Sequence, residues 1–240
     1  VIFMQWHIYM MLMLGISMPM SRMLFKNCDS LLPFGKILGI IIPGFIMWVI
    51  GILLDVPFSR TNALLVIVLY AITNSIIAYK QKMTLEDWRS CLVSCFKFEV
   101  AFFFVFLFWV YLIGFNPAAY GTEKFMDYGF MEAMMRSTVL PARDLWYSEG
   151  HINYYYGGQY FAVFLTKLSH TKVELTYNLM RTFVAGLAFA MPFSLVYQMT
   201  VDRMKGQPKG EKIKKRLPFI AGFTAGTAVS IAGNMHYVIY

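Results

Sequence analysis

Two carboxylates, Glu123 and Asp127, stand four residues apart in the stretch Glu-Lys-Phe-Met-Asp-Tyr-Gly-Phe. At helical spacing they share one face, about one turn apart, an arrangement suited to acid–base work on a bound hydroxyl. Asp127 is set among Phe125, Met126, Tyr128 and Phe130. A carboxylate in such surroundings beside a bilayer is costly unless it is paired or works, and desolvation is one way proteins make a carboxylate a stronger base. The competing reading makes Glu123 a charge at a helix N-terminus, where the dipole favours it, and Asp127 a solvated face residue.

A second concentration of polar and aromatic groups follows at residues 141–160: Arg143, Asp144, Trp146, His151, Asn153 and the run Tyr154, Tyr155, Tyr156. Adjacent residues cannot share a face in helix or strand, so the three phenols are expected to point in different directions. They suit a stacking platform for sugar rings or a set of hydroxyl donors to phosphate. Equally, they suit an aromatic belt ahead of the next helix. Arg181, with Asn178, stands at the start of a later apolar run, where arginine can snorkel to phosphate.

These residues must be positioned by an unusually apolar chain. It is 58% hydrophobic and 14% charged, with a mean hydropathy of +0.56, outside the range of soluble domains. Six uncharged runs of 18 to 24 residues lie at 1–21, 37–54, 61–79, 100–122, 182–201 and 217–240. A helix needs about 20 residues to cross a bilayer core, and only helices satisfy their own backbone there. The expected fold is therefore all-α, a polytopic transmembrane helical protein of about six spans. Its expected organisation is four spans in 1–115, a long loop with interfacial helices and the tyrosine run in 116–176, and two further spans in 177–240. The first run has neither a basic region before it nor a cleavage site after it, so it reads as a span, not a signal peptide. With no initiator Met and a last run that reaches Tyr240, the sequence reads as part of a longer chain.

Sidedness follows from the basic residues, which collect in short cytoplasmic loops. If 116–176 does not cross the membrane, fourteen of the twenty-one Lys and Arg fall in segments 22–36, 80–97 and 202–216. Those loops are expected to be cytoplasmic and 116–176 extracytoplasmic, in the plasma membrane. Cys28, Cys91 and Cys95 all fall on the cytoplasmic side, where thiols stay reduced. Cys91 and Cys95 read as half-buried loop cysteines. The basic stretch near 202–216 suits anionic headgroups. Nothing in the chain suggests nucleic-acid binding.

Within the long loop, Asn116-Pro117 ends a span. A helix capped by Gly121 or Thr122 then runs to about Ser137 and is closed by Pro141. It is expected to be amphipathic, to lie at the interface and to carry a Glu132–Arg136 ion pair. Residues 159–169 are apolar apart from Lys167 and too short to span, so they suit a re-entrant or surface-lying helix. Gly35-x-x-x-Gly39 and Gly222-x-x-x-Gly226 would allow close helix contact. The uncharged runs place no ionisable group in mid-span. The sequence has no phosphate-binding glycine loop and no zinc-like histidine spacing.

The stretch from Glu123 to Tyr160, followed by Tyr-Asn-Leu-Met at 177–180, resembles the signature of an uncharacterised polytopic membrane family named for its tyrosine triplet. Residues 15–51 and the Ala-Gly-Asn-Met-His-Tyr-Val stretch at 232–238 are similar to that family as well, so the likeness covers most of the chain and corresponds to the family's N-terminal portion. Two departures are Gly158, where a bulky residue or His is expected, and Leu145, where Pro is expected. The layout also resembles the GT-C clan of membrane glycosyltransferases. That resemblance implies an acidic residue early in the outer loop, which Asp127 matches, and surface-lying helices before the next span.

On that likeness the chain would transfer a sugar from a polyprenyl-phosphate-linked donor at the outer face. Asp127 would be the base, with Glu123 helping, and Arg143, Arg181 or Lys124 would hold phosphate. Trp146 and Tyr154–Tyr156 would line the sugar pocket, with Asp144, His151 and Asn153 nearby. A divalent Mg or Mn ion could bridge Asp127 and the phosphate. A lipid or small-solute transporter and a non-catalytic scaffold are the alternatives. Convergence of Asp127, Asp144 and Asn153 on one pocket would favour the enzyme.

Overall fold

The computed structural model describes residues 2–121, 123–205 and 212–232. Among them are eight α-helices: α1 (Ile2–Leu24), α2 (Gly35–Leu53), α3 (Arg60–Lys80), α4 (Leu85–Ile113), α5 (Lys124–Arg136), α6 (Gly157–Ser169), α7 (Val173–Met204) and α8 (Lys212–Ser230). A 3-10 turn, Asp29–Phe34, precedes α2. The protein is an all-α polytopic membrane protein. Four helical segments are long and apolar enough to cross a bilayer: Asp29–Leu53, Arg60–Lys80, Leu85–Ile113 and Val173–Met204. Of the six expected spans, α1 and the described part of α8 fall short of that apolarity. Residues 233–240 of the sixth run lie outside the described residues. Leu65, Leu69, Phe104 and Phe108 are exposed on the spanning helices, as a lipid-facing surface requires.

Several boundaries differ from those read off the charges. Segment 80–97 is not a loop, because α4 begins at Leu85, capped by Thr84 in a reciprocal box with Asp87. A charge ends an apolar run without ending a helix, so the early turns of α4 carry Glu86, Asp87, Arg89 and Lys97. Cys91 and Cys95 are accordingly helical and buried against Leu14, Met18 and Leu32, not half-buried in a loop. At the other end of the long loop, α7 begins at Val173 and takes in the 176/177 boundary.

The described parts of the basic segments nevertheless meet one another. Arg22 pairs with Asp87 at 2.8 Å, and the Ser30 N–H donates to Gln198 Oε1 at 3.2 Å. The Ser194 hydroxyl donates to the Ser30 carbonyl. Helices α5 and α6 and the loop between them lie at the other end of α2, where the Phe58 N–H donates to Thr138 O at 2.7 Å.

Glycine sets the closest helix contacts. A Cβ on Gly39 would lie 2.7 Å from the Met13 carbonyl, so α1 and α2 meet backbone to backbone. The Gly222 and Gly226 pair does the same for α8, 2.7 Å from Phe193 O and 2.8 Å from Phe189 O. Both glycine pairs thus do what small residues do between membrane helices.

Two charges that bound apolar runs, Lys36 at the start of α2 and Glu99 on α4, meet inside the bundle. Lys36 on α2 is 0% exposed, and its Nζ lies 2.5 Å from Glu99 Oε2 on α4. The same ammonium sits 3.7 Å from the centre of the Phe102 ring. Both charges escaped notice because each was counted as the edge of an apolar run and never as part of a packed interior. Removing one partner strands a buried charge. Lys36→Met should therefore lower unfolding stability in detergent by about 3–5 kcal/mol. Lys36→Met with Glu99→Met should recover most of that loss in the same thermal titration.

Candidate functional site

The site is built where α5, α6 and the first turns of α7 meet. Helix α6 is not surface-lying: every residue from Tyr160 to Ser169 except Phe161 is buried. Its polar side chains are tied to the surrounding helices. Tyr160 donates to the Gly44 carbonyl of α2 at 2.7 Å, and Thr166 donates to Thr176 Oγ1 of α7 at 2.7 Å. Lys167 donates to the carbonyls of Met135 at 3.0 Å and Ser137 at 3.2 Å. Those are the last carbonyls of α5, where a cation satisfies both unpaired acceptors and the helix dipole. His170, at φ 54°, ends α6 in the left-handed conformation.

Helix α5 begins with Glu123 at its N-cap position; Thr122 lies outside the described residues. The helix ends at Arg136 with Ser137 as C-cap. Its Phe130, Met131, Ala133 and Met134 are buried in the main core, so it is docked on protein and does not merely float at an interface. The expected Glu132–Arg136 ion pair is not among the four formed by the described residues. Instead Glu132 lies against Tyr128, whose phenol is pushed up to about 12 by burial and by that carboxylate.

This packing brings Asp127 and Gln159 together, with Gln159 Nε2 donating to Asp127 Oδ1 at 2.6 Å. Both line an open cavity of about 490 Å³. Glu123, Lys124, Tyr177 and Arg181 line it too, with Met131, Met180 and Val184 as apolar wall. Arg181 donates to Asn178 Oδ1 at 3.2 Å and lies 5.4 Å from the Tyr177 ring centre. Asn178 in turn donates to Pro117 O at 2.8 Å, anchoring the loop after α4 to α7. Neither Lys124 nor Arg181 belongs to an ion pair among the described residues. The cavity thus holds two carboxylates and two uncommitted cations.

The other expected site residues are elsewhere. Arg143 and His151 form an isolated antiparallel bridge that closes their loop. Asp144 is a turn residue, its carboxylate accepting from the N–H groups of Trp146 at 2.8 Å and Tyr147 at 3.0 Å. Arg143, Asp144 and His151 line a separate cavity of about 470 Å³ with Arg136. Trp146 is 59% exposed and sits edge-on to Phe125 and Phe130. Asn153 is exposed and lines neither cavity. Asp127, Asp144 and Asn153 therefore do not converge.

The tyrosines also depart from expectation. Tyr154 and Tyr155 stack with centroids 4.5 Å apart, because Tyr155 takes φ 56° and turns its ring back onto its neighbour. Tyr156 is half-buried, its hydroxyl accepting from Trp48 Nε1 at 3.0 Å. None of the three lines the carboxylate cavity. Gly158 does, and a Cβ there would meet nothing within 4 Å, so the bulkier residue suggested by the family likeness would fit. Leu145 packs on α5 with its Cδ1 2.8 Å from the place of a Gly129 Cβ.

Gln159 was missed by sequence reasoning. Its signal was a polar amide in the first turn of an otherwise apolar helix. A resident divalent ion is poorly served here. No three His, Cys, Asp or Glu side chains come together among the described residues, and Asp127 already accepts from an amide beside two cations. The arrangement suits an anion beside a hydroxyl better than a bound metal.

Fold and cavity together define a multi-pass helical membrane protein with a polar pocket at one end of its bundle. The chain belongs to the family described as uncharacterized membrane protein (DUF2298), whose model matches residues 42–240. That span contains α3 to α7 and every residue of the pocket. No match was found among curated proteins or among solved structures.

Burial pushes Lys167 from its ordinary 10.5 down to about 8. Between those values the unfolded chain binds the extra proton, so folding stability should rise as pH increases through that window. Lys167→Met should abolish that slope in a thermal titration from pH 8 to 10. It should also leave the end of α5 without its cap, which faster amide exchange at Met135–Ser137 would report.

Proposed function

We propose that this protein is an integral membrane glycosyltransferase of the plasma membrane, transferring a sugar from a polyprenyl-phosphate-linked donor at the outer face. One observation carries the reading: a cavity at one end of the bundle is lined by Glu123, Lys124 and Asp127 from the start of α5 and by Arg181 from α7. The resemblance to the tyrosine-triplet family and to the GT-C clan points the same way, by analogy of layout.

Asp127 is the base. Gln159 holds Oδ1, which orients the carboxylate for the acceptor hydroxyl. The acceptor oxygen bonds to the anomeric carbon as the carbon–oxygen bond to phosphate breaks, and the hydroxyl proton passes to Asp127. The departing lipid phosphate carries the electron pair, and Lys124 and Arg181 offset its charge. Glu123, exposed one turn before Asp127, would relay the proton outward. Arg143, Asp144, Trp146, His151 and Asn153 lie off this cavity and take no part in the step, and Tyr156 supports the fold through Trp48.

Transport is the second reading, favoured by the buried Lys36–Glu99 pair, since intramembrane charges often mark ion or solute paths. That pair is mutually satisfied and packed on Phe102, which suits a structural clamp better than a path.

In proteoliposomes supplied with polyprenyl-phosphate-linked radiolabelled sugars, Asp127→Asn should slow transfer by about 10²–10⁴-fold, the usual worth of a general base. Undiminished transfer would remove Asp127 from the reaction. For sidedness, Glu149→Cys in a Cys28→Ser background should react with a membrane-impermeant maleimide added outside intact cells. Labelling only after lysis would reverse the orientation.

A further inference from the structure

A third cavity, of about 370 Å³, lies between the end of α4 and the first turns of α7. Trp109, Leu112, Ile113 and Ala185 form much of its wall, and Lys124 and Arg181 line it as well. The same two cations therefore face both this cavity and the carboxylate cavity. Trp109 supplies an independent sign of a missing partner: its Nε1 is buried with no hydrogen-bond acceptor. A buried indole N–H ordinarily finds one. Thr182 is not a comparable free donor, since its hydroxyl already donates to Leu179 O at 2.9 Å.

What would satisfy these groups is an anion with several acceptor oxygens, attached to something apolar. Leu112 and Val184, both exposed, continue the apolar surface from the two cavities along α4 and α7. Phe108, also exposed, stands one turn before Leu112. We infer that this cavity binds a lipid phosphate. Its phosphate oxygens lie between Lys124 and Arg181 and accept from Trp109 Nε1, while its hydrocarbon lies along Leu112, Phe108 and Val184. The inference deepens the proposed function and rests on it for one point, that this phosphate is the leaving group. Guanidinium and ammonium donors make strong charge-assisted bonds to phosphate, and the apolar wall selects a lipid over the free ion. The placement would put the phosphate across the shared cations from Asp127, with the sugar in the carboxylate cavity.

The test uses full-length protein in non-ionic detergent and phosphate-free buffer, with binding followed by native mass spectrometry. The probes are farnesyl monophosphate, farnesol and inorganic phosphate. Farnesyl monophosphate should be retained, and both farnesol and inorganic phosphate should bind at least about tenfold more weakly. Arg181→Gln and Lys124→Gln should each weaken farnesyl monophosphate by about tenfold, and Trp109→Phe by a smaller factor. Arg181→Lys keeps the charge and should retain most of the binding, which separates loss of the site from loss of the fold. Equal binding of farnesol would reduce the cavity to a greasy groove, and equal binding of inorganic phosphate would remove the lipid from the inference. Unchanged affinity in both cation variants would overturn it outright. Asp127→Asn should bind farnesyl monophosphate like the wild type. If that variant still transfers sugar, the reaction reading fails and the lipid site stands. If the cation variants bind normally, the lipid site fails and the assignment of Asp127 stands.

Discussion

The buried polar side chains of α6 are the constraint on which the site depends. A hydroxyl or ammonium removed from water costs several kcal/mol unless it finds a partner, and α6 buries Tyr160, Thr166, Lys167 and Ser169. Three of the four reach different neighbours: the Gly44 carbonyl of α2, Thr176 of α7 and the last carbonyls of α5. The Ser169 carbonyl accepts from Gln5 of α1 at 3.1 Å. A short helix held to four others at separate points has little freedom to slide or rotate. Its first turn, which carries Gly158 and Gln159, is placed by the Tyr160 contact within it and by the others further along the helix.

Lys167 shows how the balance is struck. Desolvation alone pushes its affinity for the proton down, yet its ammonium has two carbonyl acceptors and the Phe58 ring at 4.7 Å. Hydrogen bonds to a charged donor are worth about 1.5–3 kcal/mol each, enough to offset most of the cost of burying one partly solvated ammonium. The carbonyls belong to α5, so the same bonds that keep Lys167 charged near neutrality hold the C-terminal end of α5 against α6. The Asp127–Gln159 contact then closes the N-terminal end of α5 against α6.

The architecture was legible because lipid imposes it. Runs of apolar residues long enough to span are visible without any knowledge of contacts. Helix ends were less legible. Charges mark where an apolar run stops, whereas α4 continues through Glu86, Asp87, Arg89, Lys97 and Glu99 because its capping box begins the helix earlier. Lys36 and Glu99 satisfy one another only in three dimensions, from positions far apart in the chain. Within the loop, Asp127 and Glu123 were visible from spacing, and Arg181 from its place at a span's edge. Arg143, Asp144 and His151 looked equally chemical, but their polarity serves a closed turn. The tyrosine triplet misled for a local reason: a single left-handed residue, Tyr155, stacks two of the rings together on the surface.

How Asp127 is held matters more than that it is present. Had Arg181 or Lys124 closed on it within ion-pair distance, the carboxylate and the cation would have neutralised each other, and both would be poor at chemistry on a third group. An amide holds it instead. Gln159 fixes the orientation of the carboxylate without cancelling its charge, and the two cations stay uncommitted among the described residues. In a cavity walled by protein the effective dielectric is below that of water, so such unspent charges act at longer range. Glu123, Lys124 and Asp127 line the cavity from α5 and Arg181 from α7, so charges of both signs share one space without pairing. In the proposed transfer, negative charge would develop beside Lys124 and Arg181 while the hydroxyl proton passes to Asp127.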